Sequence, residues 1–250
     1  MGWDPRAFDP EWPFDLFATR VSLEQGRTAL LVVDMQAADM EVAADSELGR
    51  RYPKIREHWN ARFADVALPA IRRLIAGFRA ADLPVVYTRN GPITPHAGET
   101  APRLRPKIGP VYRHRGTPGY EIEASIAPLP DDVVVDKLTS GAFTGTYLDH
   151  ALRNLGVTNL AVVGVVTDMC VLGTARAAAE LGYWTIIVED GCASYTERAH
   201  IEALLAHARV FGRVAISDEV ITELGLGATA SAQAPSRHTV GTVSAAPPTA

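Results

Sequence analysis

Cysteine is scarce in this sequence: Cys170 and Cys192 are the only two. A disulfide framework is therefore not expected, and any thiol chemistry must fall to one of these two residues. Long apolar runs are missing as well. The longest, such as Leu160 to Val166, have the length of a strand and are far too short to span a bilayer. There is no excess of basic charge, and a net charge of −5 gives no electrostatic reason to expect nucleic acid or an anionic membrane as a partner. Residues 1–20 scatter Asp4, Arg6, Asp9, Glu11, Asp15 and Arg20 among aromatics and prolines, with no apolar stretch. No signal peptide is expected there, and the expected compartment is the cytoplasm. The chain has no G-x-S-x-G, which disfavours a serine-hydrolase elbow. No G-x-G-x-x-G follows the first apolar run, which disfavours a dinucleotide fold.

What is present is 47% hydrophobic residue content over 250 residues, enough for one large core. Six short runs rich in β-branched residues read as buried parallel strands: Ala29–Val33, Pro84–Thr88, Val133–Val135, Leu160–Val165, Thr185–Val188 and Val214–Ile216. Helical spacing of apolar residues marks 64–81, 144–155, 169–181 and 196–210 between them, with Gly156 and Gly182 as stops. The alternation predicts an α/β protein of three αβα layers around a doubly wound, mostly parallel, six-stranded sheet. Three segments stand outside this rhythm. Residues 1–25 form an aromatic arm without a period, expected to pack on the domain of residues 26–225 or on a neighbouring subunit. Residues 90–120 are a long Pro/Gly/Arg-rich connection, either a wall of a site or a surface excursion. Residues 226–250 are Ala/Pro/Ser/Thr-rich and are expected to be a disordered tail.

Ligands of such sheets bind beyond the carboxyl ends of the strands. Asp34, Lys137 and Cys170 stand at three of these ends. Singly, each has a plain explanation: a helix cap, a solvated lysine, a small core residue. Together they make a nucleophile with its base and its cation. The turn after Leu160–Val165 places Cys170 at or beside a helix start, whose N–H groups favour a thiolate and are available to hold an oxyanion. An adjacent Lys137 ammonium is expected to lower the thiol pKa further, while Asp34 carries protons. Cys192, in what reads as a loop leading into a helix, is expected to be structural.

Four blocks in order, LLVVDMQ at 30–36, VVDKLTSGAF at 134–143, VVGVVTDMCVLGTARAAAELGY at 162–183 and VEDGCAS at 188–194, give the chain its resemblance to the isochorismatase-like cysteine hydrolase superfamily over about residues 26–225. The resemblance implies an Asp34–Lys137–Cys170 triad and a cis Val165–Val166 peptide. It also implies an oxyanion hole from the Val166 and Cys170 N–H groups. It further implies no cofactor, a small-molecule substrate and a homo-oligomer, dimer or tetramer. The family name-giver cleaves a vinyl ether without this cysteine, so Cys170 favours a C–N bond of a small amide or ureido compound, cleaved through a thioester. A vinyl-ether hydrolase and a non-catalytic small-molecule-binding member of the fold are the alternatives. Nicotinamidases carry a metal-binding D-x-H after the second strand. Here Arg89-Asn90-Gly91-Pro92 replaces it and His96 stands alone, so no metal is expected. Arg115-Gly116-Thr117-Pro118-Gly119-Tyr120 is similar to a stretch of biuret amidohydrolases, whereas Lys137 to Phe143 departs from theirs. Four further positions are candidates for substrate binding. Gln36 either reaches the site or supports its loop, and Arg89 either clamps a carboxylate or makes an ion pair. Phe143 either covers the substrate or joins the core, and Thr167 lies in the turn before the nucleophile.

Overall fold

The computed structural model describes residues 2–104 and 113–226, so the expected tail from residue 227 onward and the middle of the 90–120 connection lie outside the described residues. Six parallel strands form one sheet: β1 (Thr28–Val33), β2 (Val85–Asn90), β3 (Val133–Lys137), β4 (Asn159–Val165), β5 (Trp184–Ala193) and β6 (Arg213–Ala215). Their spatial order is β3-β2-β1-β4-β5-β6, with every neighbouring pair parallel. Among the described residues seven α-helices flank the sheet: α1 (Glu47–Arg51), α2 (Pro53–Ala61), α3 (Leu68–Ala80), α4 (Leu148–Asn154), α5 (Leu172–Glu180), α6 (Glu197–Val210) and α7 (Ser217–Glu223). Single π-helical turns, Arg62–Ala67 and Thr167–Val171, lead into α3 and α5.

The alternation of side chains along β1 shows why three layers form. Leu30 and Val32 join Trp59, Phe63, Ile71, Leu74 and Phe78 of the α2–α3 side and Val220 of α7. Ala29, Leu31 and Val33 join Leu148, Leu152, Val171, Ala175 and Leu204 of the α4–α5–α6 side. All six residues of β1 are buried, so both faces must be apolar and the strand reads as a continuous run. Each fully buried Leu or Ile contributes about 1.5–3 kcal/mol. The aromatic arm packs on this second face. Phe14 is buried there, Trp12 and Trp3 rest against it, and Arg209 of α6 both bonds Asp9 at 2.6 Å and covers the Trp12 ring.

The sequence-based expectations differ from the structure at two places. Helices α1, α2 and α7 were not anticipated. Residues 47–61 include six charged residues and few apolar ones, and Pro53 interrupts them, so no long apolar stripe marks a helix there. The second difference concerns Cys192, expected in a loop but found in β5. That strand resumes its pairing with β4 after a bulge: Val162 pairs with Ile187 and Gly164 already pairs with Cys192. Arg62 clasps the bulge through the Glu189 and Cys192 carbonyls, and Asp190 accepts bonds from Ser217 at the start of α7.

The order of strands reverses between β1 and β4, and these two strands approach each other unusually closely at their ends. Gly164 has φ +119, and a Cβ there would overlap the Val33 carbonyl oxygen. Both the backbone conformation and the contact require glycine. Gly164→Ala is accordingly expected to lower unfolding free energy by at least about 3 kcal/mol, measured by urea denaturation. A loss under about 1 kcal/mol would show that this strand end yields.

Candidate active site

The crevice beyond the reversal point of a doubly wound sheet is where ligands bind, and the candidate residues converge there. Asp34 directly follows β1 in a left-handed conformation, φ +53, which aspartate tolerates better than most residues. Its backbone N–H and carboxylate are both held by Thr88 of β2. The Thr88 hydroxyl donates to Asp34 Oδ1 at 2.6 Å, and the Asp34 N–H reaches the Thr88 carbonyl at 3.2 Å. Lys137, the last residue of β3, lies across β2 from Asp34, and its Nζ meets Asp34 Oδ2 at 2.7 Å. Two carbonyls, of Thr139 and Ser140, accept from the same ammonium at 2.9 Å each. Two hydrogen bonds and one ion pair therefore hold the ammonium of a side chain that is fully buried.

Cys170 is on the π-helical turn between β4 and α5, buried to 8% exposure, facing the Asp34 carboxylate and the Lys137 ammonium. Asn90, at the end of β2, places Nδ2 4.0 Å from its sulfur. The Val165–Val166 peptide just before the turn is cis. The thiol departs from the sequence-based expectation: burial and then the Asp34 charge push its pKa up to about 12, against the smaller downward pull of Lys137. The reason is charge balance. Lys137 is already neutralised by Asp34, so little net positive field is left to offset desolvation. Cys192 is fully buried and unreactive by position, its sulfur 3.9 Å from the Val162 carbonyl.

The outer candidates divide. Gln36 is wholly buried, donating to the Tyr120 carbonyl at 2.7 Å and accepting from the Asn90 N–H at 2.8 Å, so it supports the loops around the crevice. Arg89 is held by Asp136 at 2.8 Å and Glu121 at 2.5 Å under the Tyr120 ring, the ion-pair alternative of the sequence analysis. Phe143 packs on Tyr183 with ring centroids 5.8 Å apart, at the edge of the core. Thr167 is fully buried and bonds His200 of α6 at 2.8 Å. His96 is exposed, and no cluster of three or more metal-ligating side chains occurs among the described residues. Among those residues, no helix is long and apolar enough to cross a membrane. Thr88 and Asn90 were missed by sequence reasoning. Their signal was the pair of polar residues two apart on one face of an otherwise apolar strand.

Residues 28–219 match the isochorismatase domain model. The chain belongs to the isochorismatase family. It is 27% identical over 215 residues to a ureidoacrylate amidohydrolase of Pseudomonas syringae pv. syringae, covering 80% of this chain and 84% of that protein. It is 34% identical over 168 residues to the streptothricin hydrolase of Streptomyces noursei, covering 67% of this chain and 54% of that one. Among solved structures, a cysteine hydrolase of Pseudomonas syringae pv. phaseolicola is similar with TM-score 0.66 and 29% identity, over 83% of this chain and 96% of that one. The N-carbamoylsarcosine amidase of Thermoplasma acidophilum gives TM-score 0.59 and 27% identity, over 77% and 97% respectively.

A raised pKa means that Cys170 is a thiol, not a thiolate, at neutral pH. The 240 nm absorbance difference between wild type and Cys170→Ser is expected to stay flat from about pH 6 to 9. Asp34→Asn removes the negative neighbour while leaving Lys137, so the thiolate signal should then appear at lower pH. A wild-type thiolate signal already present at pH 7 would contradict this electrostatic account.

Proposed function

We propose that the protein is a cysteine-dependent hydrolase of a C–N bond in a small amide or ureido compound, acting through Asp34, Lys137 and Cys170. The observation that carries the proposal is the buried 2.7 Å Asp34–Lys137 pair facing the thiol of Cys170. The amidohydrolase, amidase and hydrolase relatives support the reaction class.

The resting protonation states define the first step. A protonated thiol cannot attack, so Asp34 takes its proton as the sulfur bonds to the substrate carbonyl carbon. The carbonyl π electrons move onto oxygen, and the N–H groups of Val166 and Cys170 are assigned to hold that oxyanion. When the oxyanion collapses, Asp34 returns its proton to the leaving nitrogen. The C–N bond breaks, ammonia or an amine departs, and a thioester remains. The regenerated Asp34 carboxylate then deprotonates water, which adds to the thioester carbonyl. Collapse of that second intermediate expels sulfur, which recovers the proton. Lys137 stays cationic throughout and stabilises whichever neighbour carries the negative charge, first Asp34 and then the sulfur.

Ammonia release from biuret, ureidoacrylate, N-carbamoylsarcosine and nicotinamide, with Cys170→Ala beside the wild type, tests this reading. The substitution is expected to abolish release, because it removes the proposed nucleophile. Asp34→Asn is expected to cost about 10²–10⁴-fold in rate, the usual contribution of a general base. Ordinary turnover by Cys170→Ala would sink the proposal.

A further inference from the structure

At the start of the Cys170 turn, four side chains form a continuous polar chain. Arg62 Nη2 bonds Glu189 Oε1 at 2.6 Å and approaches His200 Nε2 at 2.8 Å, while His200 Nδ1 is 2.8 Å from the Thr167 hydroxyl. His200 and Thr167 have no solvent exposure at all, and the side chains of Arg62 and Glu189 keep only 13% and 17%. Such a network is costly to bury unless it is satisfied.

We propose that His200 is a positioning residue for the nucleophile turn, acting through Thr167 in a single ring tautomer that Arg62 imposes. This rests on the amide-hydrolase reading for its kinetic consequence. The tautomer follows from donor counting. Arg62 Nη2 has two N–H groups for three neighbours, the Glu189 carbonyl, Glu189 Oε1 and His200 Nε2; because a guanidinium only donates, the 2.8 Å contact is met by a shared N–H with Nε2 unprotonated. The neutral ring then carries its proton on Nδ1 and donates it to the Thr167 hydroxyl oxygen. Glu189 Oε1, 3.3 Å from Nε2, is the acceptor that an Nε2–H ring would use, and its shorter 2.6 Å bond to Arg62 is the one the proposal retains.

Thr167 follows Val166 and opens the turn Thr167–Val171 that carries Cys170. Holding its side chain fixes the start of that turn against α6, which is itself capped by the Thr196 hydroxyl on the Ala199 N–H. A second brace lies alongside, since the Ser194 hydroxyl donates to Asp168 Oδ1 in the same turn. The turn is therefore tied to β5 and α6 from behind while the thiol faces Asp34 and Lys137 in front. Misplacing a reacting group by about 1 Å costs on the order of 100-fold in rate, which sets the scale of the expected effect.

Three variants and one spectrum decide it. His200→Leu and Thr167→Val each remove the bond while keeping bulk, and His200→Asn keeps a donor amide near the Nδ1 position. On the best amide of the panel, the first two should lower kcat by about 10- to 100-fold with KM changed less than about twofold. Their losses should not add in the double variant, and His200→Asn should recover most of the rate. Alkylation of Cys170 by iodoacetamide should stay within about threefold of wild type, since that reaction needs no oriented oxyanion donors. Parallel losses of kcat, alkylation and thermal stability, with Asn no better than Leu, would show a merely structural role and overturn the proposal. Long-range ¹H–¹⁵N correlation spectra of the wild type, with His200 assigned by its loss in His200→Asn, should show a neutral Nδ1–H ring. An Nε2–H ring or an imidazolium at neutral pH would overturn it independently of any activity. Absence of Cys170-dependent ammonia release would count against the amide-hydrolase reading instead, and the ring spectrum would still decide the network.

Discussion

The interaction on which the site depends is the ion pair between Asp34 and Lys137, with both side chains almost or wholly out of solvent. Burying two charges costs several kcal/mol per ion, and a well-packed apolar pair would often be no less stable. The cost is offset locally by the Thr88 hydroxyl on one side and two loop carbonyls on the other. Because the partners come from β1, β2 and the end of β3, the pair also fixes how three strand ends meet. An arrangement so costly to desolvate, which leaves Asp34 Oδ2 with the Lys137 ion pair but no hydrogen bond, is better explained by chemistry than by stability.

The same pair decides the electrostatics of the thiol. A free buried lysine would drag Cys170 toward thiolate, but one already matched by a carboxylate leaves desolvation in control, and the thiol pKa rises to about 12. Net charge is unchanged when the proton passes from sulfur to Asp34, so the step avoids creating a new buried charge. Lys137 has only to stabilise an anion that moves from one neighbour to the other. A neutral resting thiol with a resident base is thus a coherent design for a water-poor crevice, and one less exposed to oxidation than a standing thiolate.

Much of this was legible in the sequence because it is written in short-range patterns. All six strands appear as β-branched runs, and Asp34, Lys137 and Cys170 are recognisable because chemistry-bearing residues at strand ends are few. What was not legible depends on partners far apart in the chain. Arg89 is committed to Asp136 and Glu121, and Gln36 to Tyr120 and Asn90, so neither role follows from neighbouring residues. The helix-start argument for a thiolate was sound locally, yet it failed because burial and the charge of Asp34 are set by the whole fold. Cys192 looked like a loop residue because Asp190-Gly191 reads as a turn, when it is a bulge after which the strand continues.

That bulge connects the two halves of the site. Without it, β5 would stay in step with β4. With it, Glu189 and Asp190 leave the ladder, one meeting Arg62 and His200 and the other capping α7. Cys192 and Ala193 then rejoin opposite Gly164 and Val165, the last residues before the nucleophile turn. Gly164 cannot shift toward β1 because its backbone already lies against Val33, and it cannot shift away because β5 has closed on its other side. The end of β4 is therefore confined from both edges, and Thr167 and Asp168 confine the turn from behind. If Cys170 acts as proposed, its geometry is set by folding and not by substrate. The described parts of the connection after β2 bring Gly91 and Tyr120 beside Lys137, so this segment borders the same strand ends that the bulge confines.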